Sequence, residues 1–316
     1  MKILKFGGKS LSNGEGLDKV VAIILDKVNQ GEKIAVVVSA RGNATDELEE
    51  MLSIAAKNES YKPQLEQFKL EQQNGFDAVD FTEEFTVLEK LFEGVSLIGD
   101  YSSKIKDQIL SIGEVLSAKL LTAILLKNGV TARFADSREL IKTDSKFGDA
   151  QPIEQASKKN VIQYFKENED AVNIVTGFIA SNAKNVTTTL GRNGSNYTAS
   201  LIANYLNAEE LQNYTHVDGI YTANPDLVPD AKKIDYLTFN EANELANFGA
   251  TILHAKTIIP LLEKNIPLRI LNTFNHENKG TLIRSTASKE GIKTLSVLEN
   301  VALVNLEGRG LLGKTG

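Results

Sequence analysis

The sequence predicts an α/β fold, a three-layer sandwich with a mostly parallel central sheet. Two patterns predict it. Short apolar runs bounded by Gly, Ser or Asn recur between longer segments of helical periodicity, which is how strands alternate with crossover helices. Each run is also nearly continuous in Val, Ile, Leu or Phe, as a strand covered on both faces must be.

The first strand is Lys2 to Phe6. After it, Gly16 to Val28 places Leu17, Val20, Val21, Ile24, Leu25 and Val28 on one wide stripe, a helix that packs on the sheet. Lys33 to Ser39 is the second strand. Thr45 to Leu97 is a long charged insertion in which Asp46 to Ala56, Pro63 to Phe76 and Thr82 to Leu91 read as successive helices. Ser103 to Lys127 is another long helix, with Gly113 as the point where it could break and Asn128-Gly129 as its C-terminal cap. Further strands are Val130 to Ala135, Val172 to Thr176, Glu210 to Thr215 and Pro267 to Leu271.

The alternation ends near Leu282, so residues 1–284 read as one unit and the polar stretch Ser285 to Gly291 as a linker. Lys293 to Leu306 then reads as one or two strands followed by the Gly-rich Glu307 to Gly316, the opening of a second, truncated domain in residues 285–316.

Composition bounds the function. Of 316 residues, 42% are hydrophobic and 24% charged, enough apolar material for a sizeable core. The net charge of −6, from 41 acidic and 35 basic residues with no basic block, argues against a nucleic-acid partner. Without cysteine there is no disulfide, thiol nucleophile or thiolate metal site. His216, His254 and His276 lie too far apart in sequence for a local metal motif. The N-terminus has too short an apolar stretch for a signal peptide, and no run of the roughly 18 apolar residues that span a bilayer stands out, so a cytoplasmic protein without a membrane partner is expected.

Four segments carry candidate chemistry. KFGGKS at residues 5–10 leaves a strand and enters a helix, so its backbone N–H groups with Lys5 and Lys9 suit a polyphosphate, although a Gly-Gly turn is equally an ordinary tight turn. It is neither a Walker A loop nor a Rossmann fingerprint, because the glycine spacing fits neither. VVVSARGNAT at residues 36–45 is a second strand end. Ligands of open α/β sheets bind beyond the carboxyl ends of strands, so both ends point to one shared cleft, with Thr45 either a ligand contact or a helix cap. TTTLGRNGSN at residues 187–196 puts Arg192 at a glycine-flanked turn before a helix, a placement that suits bidentate capture of a carboxylate as well as a plain surface arginine. THVDGIYTANP at residues 215–225 could wrap a base and ribose, with Tyr221 as its apolar face or as a core tyrosine.

In this order the segments resemble aspartokinases, whose pattern runs KFGGTS, VVSA, GE in a long helix, TTLGRGGSD, TDVDGIYT and FGAKVLHP. The counterparts here are KFGGKS at 5–10, VVSA at 37–40, IGE at 112–114, TTTLGRNGSN at 187–196, THVDGIYTANPD at 215–226 and FGATILHA at 248–255. The GRNGS variant and the insertion are most similar to the kinase part of bifunctional aspartokinase/homoserine dehydrogenases. The resemblance implies the amino acid kinase fold and transfer of a phosphoryl group from MgATP to the side chain of L-aspartate, the step that opens the routes to lysine, threonine and methionine. It also implies self-association as a homodimer or larger assembly, and an ACT-like regulatory region at the C-terminus.

Residue by residue, the resemblance implies that Lys5, Lys9, Gly7, Gly8 and Ser10 face the ATP phosphates. Ser39, Thr45, Glu114, Arg192 and Ser195 would surround aspartate. Thr215, His216, Tyr221, Asn224 and Pro225 would hold the nucleoside, with Lys256 reaching the phosphates from the opposite side. Asn196 stands where the pattern has Asp, so Lys5, Lys9 and Asn196 form the expected catalytic group. Thr251 replaces the Lys of FGAK, Asp226 an Arg, and Ala255 a Pro. The alternatives are a kinase of another acyl acceptor, such as one like glutamate 5-kinase, and a domain that senses nucleotide or amino acid without turnover.

Overall fold

β1 (Lys2–Phe6) leads through a 3-10 turn at Gly8–Leu11 into α1 (Glu15–Asn29) and back to β2 (Ile34–Val38). The charged insertion folds as α2 (Ala44–Ala56), α3 (Lys62–Gln73) and α4 (Thr82–Ile98), ahead of the long α5 (Ser103–Lys127). Next come β3 (Ala132–Ala135), the one-turn α6 (Ser137–Leu140), β4 (Lys142–Thr143), α7 (Glu154–Glu167) and β5 (Val172–Thr176). A hairpin of β6 (Ile179–Asn182) and β7 (Thr187–Thr189) opens onto α8 (Gly194–Leu206) and β8 (Glu210–Thr215). β9 (Ile220–Tyr221), β10 (Lys233–Ile234), β11 (Tyr236–Thr238), α9 (Phe239–Asn247), α10 (Ala255–Lys264), β12 (Leu268–Asn272) and β13 (Thr281–Arg284) follow. The computed structural model describes residues 1–12, 14–73, 75–76, 79–247, 254–286 and 293–295.

The main sheet has eight strands in the order β11-β13-β12-β8-β1-β2-β5-β3. Every neighbouring pair in it is parallel except β12 with β13. From β1 the chain builds outward to β2 on one side and only later to β8 on the other. The carboxyl ends of these central strands therefore flank a change of winding direction, where open α/β sheets bind ligands.

Side-chain alternation along the central strands sorts the core into two layers. Leu4, Phe6, Val36 and Val38 pack with the helices α1 to α5. Ile3, Ala35 and Val37 pack on the opposite face with α6 to α10. Phe6 and its register partner Tyr214 stack across β1 and β8 with ring centroids 4.7 Å apart, a contact contributing about 1 kcal/mol beyond the buried area. The three expected layers are thus present.

Two readings of α5 change. The helix runs unbroken through Gly113, because the glycine serves a close approach: a Cβ there would lie 2.8 Å from Ala40 Cβ. And α5 is long and apolar enough to cross a membrane, contrary to the absence of any such window, yet 78% of its apolar window is buried inside the fold. Lying between the sheet and α1, α2 and α4, it is apolar all round for the reason any core helix is. The insertion also keeps its third helix going to Ile98, past Leu91, where Gly99 at φ 74° caps it.

The expected linker and truncated domain at residues 285–316 lie largely outside the described residues, as do 248–253 of FGATILHA with Thr251. Within the described part, Leu295 N–H donates to Thr222 O at 2.9 Å and Thr294 Oγ1 to Tyr221 O at 2.9 Å.

Candidate active site

A cleft of about 670 Å³ opens at the carboxyl ends of β1 and β2, lined among others by Lys5, Ser39, Thr45, Asp107, Glu114, Phe178, Arg192, Ser195 and Asn196. A small-molecule site of ordinary size has this volume. Each lining segment comes from a different element, and each is held there by an identifiable contact.

The first segment is the loop after β1. Gly8 is pressed against the loop after β2: its O accepts from Gly42 N–H at 3.0 Å, and a Cβ at Gly8 would lie 2.7 Å from Gly42 O and 2.8 Å from Ala40 O. Only glycine lets the two strand ends meet this closely. Lys5 closes the rear of the cleft; it is only 8% exposed, and its Nζ lies 3.4 Å from where a side chain at Gly7 would begin. Burial pushes the Lys5 ammonium down to about 8, and the charge of Glu114 works against that shift.

Glu114 enters from α5 and is 3% exposed. Its Oε1 accepts from Ala40 N–H at 3.2 Å, while Oε2 is buried without a hydrogen-bond partner. Burial pushes the carboxyl up to about 8, opposed by the Ala40 bond and by Lys5. A buried acceptor without a partner, on a residue that lines a cleft, gains from any donor that reaches it.

Opposite stands the turn into α8. Gly191 at φ +74° and Asn193 at φ 59° are both left-handed, a conformation that suits these two residues, and they hold exposed Arg192 between them beside the helix N-terminus. Asn196, one turn in, has a buried Oδ1 with no partner. The neighbouring Phe178 is itself left-handed at φ 66°, an uncommon conformation for an aromatic residue. It is held by Phe178 N–H donating to Thr198 Oγ1 at 3.1 Å and by Leu190 N–H donating to Phe178 O at 2.9 Å.

The residues expected around aspartate and the catalytic Lys5 and Asn196 therefore meet in one cleft. Of the residues expected around the nucleotide, the structure brings Lys9 and His216 together. Exposed Lys9 lies near enough to His216 for its charge to help burial hold the imidazole below its ordinary value, so the loops after β1 and β8 converge. Thr215 Oγ1 and His216 Nδ1 are 3.4 Å apart. Tyr221 lies on β9, and Asn224 and Pro225 are exposed beyond it. Ser10 is turned inward instead: its Oγ is buried and accepts from Thr273 Oγ1 at 2.7 Å, anchoring the loop to the strand β12 edge. Lys256 pairs with Asp149, which also binds Lys146 at 3.0 Å. These cations hold the Asp149 carboxyl below the ordinary carboxylate range.

Two residues of the site had no role from the sequence. Arg41, 4% exposed, donates to Glu71 O at 3.0 Å and to Gln72 O at 2.6 Å, and lies over the Phe76 ring. It thereby ties the insertion to the loop after β2. Asp107 on α5 accepts three hydrogen bonds at the cleft floor. For Arg41 the signal was its place directly after VVSA; for Asp107 no local signal exists, since its donors lie 41 and 82 positions away.

The profile of the amino acid kinase family matches residues 1–272. The chain belongs to that family. Amino acid kinases similar to it include aspartokinase 3, chloroplastic, of Arabidopsis thaliana, 34% identical over 331 residues, with 99% of this chain and 58% of that protein covered. Bifunctional aspartokinase/homoserine dehydrogenase 1, chloroplastic, of Arabidopsis thaliana is 31% identical over 334 residues, covering 99% of this chain and 36% of the relative. Among solved structures, E. coli aspartokinase III in complex with aspartate and ADP superposes with a TM-score of 0.82 at 31% identity, covering 91% of this chain and 65% of that one. The chain thus spans little more than a third of the bifunctional relative's length.

Proposed function

We propose that this chain is an aspartate kinase, transferring the γ-phosphoryl group of MgATP to the side-chain carboxylate of L-aspartate to give 4-phospho-L-aspartate. The observation that carries the reading is that Glu114 and Arg192, from separate elements, line one cleft. An α-ammonium beside buried Glu114 would draw its raised proton affinity down and pair with the carboxylate, and a guanidinium at a helix N-terminus suits a carboxylate in a bidentate pair. A zwitterionic amino acid carries both groups. The similarity to a structure holding aspartate and ADP supports the same assignment.

The chemistry asks for little beyond positioning and charge neutralisation. The attacking carboxylate has a reference pKa of about 3.9 and is ionised at neutral pH, so no base is required. Lys5, deep in the cleft beside the Gly7-Gly8 backbone, is placed to neutralise charge on the transferring group as it passes between ADP and aspartate. An incoming phosphate raises the lysine's proton affinity and keeps it charged. Asn196 directs an amide oxygen into the same space and accepts one hydrogen bond from an ammonium there. Lys9 adds positive charge at the phosphate side, and Lys256, paired with Asp149, would serve the phosphates only on leaving that partner. Magnesium arrives with the nucleotide: among the described residues no group of three or more His, Asp or Glu could hold a metal ion, and Mg²⁺ sites resting on phosphate oxygens and water need few protein ligands.

In this reading residues 1–284 form the catalytic unit, residues 285–316 open an ACT-like regulatory region, the chain self-associates, and its product feeds the routes to lysine, threonine and methionine. ADP release with MgATP and L-aspartate, L-glutamate, N-acetylglutamate or no acceptor tests the activity. Release that depends on L-aspartate and disappears in Arg192→Ala is the expected result. Turnover with another acceptor alone would replace aspartate as the substrate.

A further inference from the structure

We propose that Asp107 is a positioning residue that fixes the span between Glu114 and Arg192, and thereby sets the length of amino acid that the cleft accepts. The inference rests on the reading of the cleft as an aspartate site. Asp107 and Glu114 lie two turns apart on α5 and so leave the helix on one face. Asp107 is 1% exposed and forms part of the cleft floor.

Both of its oxygens are engaged. Oδ2 accepts from Gly148 N–H and from Thr189 N–H, each at 2.9 Å, and Oδ1 accepts from Thr189 Oγ1 at 2.9 Å. The donors belong to separate segments, the loop after β4 and the end of β7. Ala150 N–H donates to Thr189 O at 2.9 Å and closes the ring between them. From Thr189 the chain reaches Arg192 in three residues, through Leu190, whose N–H is held by Phe178 O at 2.9 Å. Gly191 leaves no slack: a Cβ there would lie 2.7 Å from Asp149 Oδ1 and 3.2 Å from Gly148 O.

One carboxylate therefore joins the helix that carries Glu114 to the turn that carries Arg192. A carboxylate takes all three as charge-assisted bonds, whereas the amide of an Asn accepts the two N–H groups more weakly and forces the Thr189 hydroxyl to reverse from donor to acceptor, which loosens the clasp. Burial holds the Asp107 carboxyl above its ordinary value even with three donors aimed at it. L-Glutamate carries its ammonium and α-carboxylate at the same separation as L-aspartate and only its side-chain carboxylate one methylene further off, so the span discriminates with Arg192 taking the side-chain carboxylate. A rigid span rejects it, while a turn that can recede admits it.

The test is the kinetics of the 316-residue chain with Asp107→Asn and with Thr189→Val, which removes only the hydroxyl donor. KM for L-aspartate, KM for ATP, kcat and the L-glutamate to L-aspartate ratio of kcat/KM are measured beside each variant's thermal midpoint. For Asp107→Asn the expected result is a KM for aspartate about tenfold higher and an aspartate preference about tenfold narrower. The KM for ATP stays within about twofold, since that site is carried by other segments. Thr189→Val moves the same quantities in the same direction by less, and carries the test alone if Asp107→Asn does not fold. An unchanged preference, with both substrates and ATP affected alike, overturns the inference and leaves the aspartate reading standing. A wild-type chain that neither phosphorylates L-aspartate nor binds it by calorimetry overturns both.

Discussion

Ala40 N–H donates to Glu114 Oε1 at 3.2 Å, so the end of β2 holds one oxygen of the buried carboxyl group while the other is buried without a partner. The pH behaviour of the protein follows from that arrangement and from Lys5 nearby. Burial raises Glu114 from 4.5 to about 8, so the folded state holds a proton that the unfolded state has released, and stability falls as pH rises between those values. Lys5 is lowered from 10.5 to about 8, so its contribution is present at high pH and is lost as pH falls toward 8. The two slopes meet in a minimum near pH 8. Thermal midpoints of Glu114→Gln, subtracted from those of the wild type across pH 5 to 9, should show the descending limb vanish from the variant. Parallel curves would refute the buried, protonated glutamate.

Arg192 is exposed yet fixed by left-handed neighbours on both sides. Replacing it with Lys keeps the charge and loses the planar fork, so Arg192→Lys should lower kcat/KM for aspartate by ~100-fold while KM for ATP stays nearly constant. Steady-state kinetics with each substrate varied in turn separates the two constants. Equal loss toward both substrates would place the arginine elsewhere in the reaction.

Lys256 is engaged with Asp149 at the rim of the aspartate side rather than free. If it serves the phosphates, Lys256→Met should raise KM for ATP by about tenfold, leave KM for aspartate unchanged and reduce the salt dependence of ATP binding. A change confined to the thermal midpoint would make it a structural partner of Asp149 only.

At Gly8 both nearest neighbours of an added methyl are backbone oxygens, Gly42 O and Ala40 O, at 2.7 and 2.8 Å. Gly8→Ala should therefore push the loops of β1 and β2 apart, costing about 1–3 kcal/mol of stability and weakening nucleotide binding. Chemical denaturation and nucleotide titration measure the two effects. An alanine variant of wild-type stability would mean that the loops part without cost.

Much of this was legible in the chain itself. The predominantly apolar runs at Lys2–Phe6 and Val172–Thr176 read as central strands because a doubly covered sheet accommodates apolar side chains on both faces. The six motifs brought Lys5, Ser39, Glu114 and Arg192 to one cleft. What escaped has a physical cause in each case. The helix Glu154–Glu167 buries only Ser157, Val161 and Phe165, too sparse a stripe to stand out. Gly113 looked like a break because a glycine's low helix propensity shows in sequence and the approach of Ala40 does not. Ser10 belonged by motif to the phosphates, but its partner Thr273 lies at the far end of the chain. Asp107 was one charged residue on a helix until the fold brought Gly148 and Thr189 to it.

The two core layers share β1 between them, and this ties the orientation of Lys5 to the burial of its neighbours. Ile3 faces α6 to α10 and Leu4 and Phe6 face α1 to α5, with Lys5 following Ile3. A slip of one residue against β2 and β8 would turn every side chain over at once. Lys5 would then enter the oily layer against α1 to α5, and Phe6 would fill the mouth of the cleft. The pairing that buries Ile3, Leu4 and Phe6 correctly is therefore the same pairing that points Lys5 at the cleft.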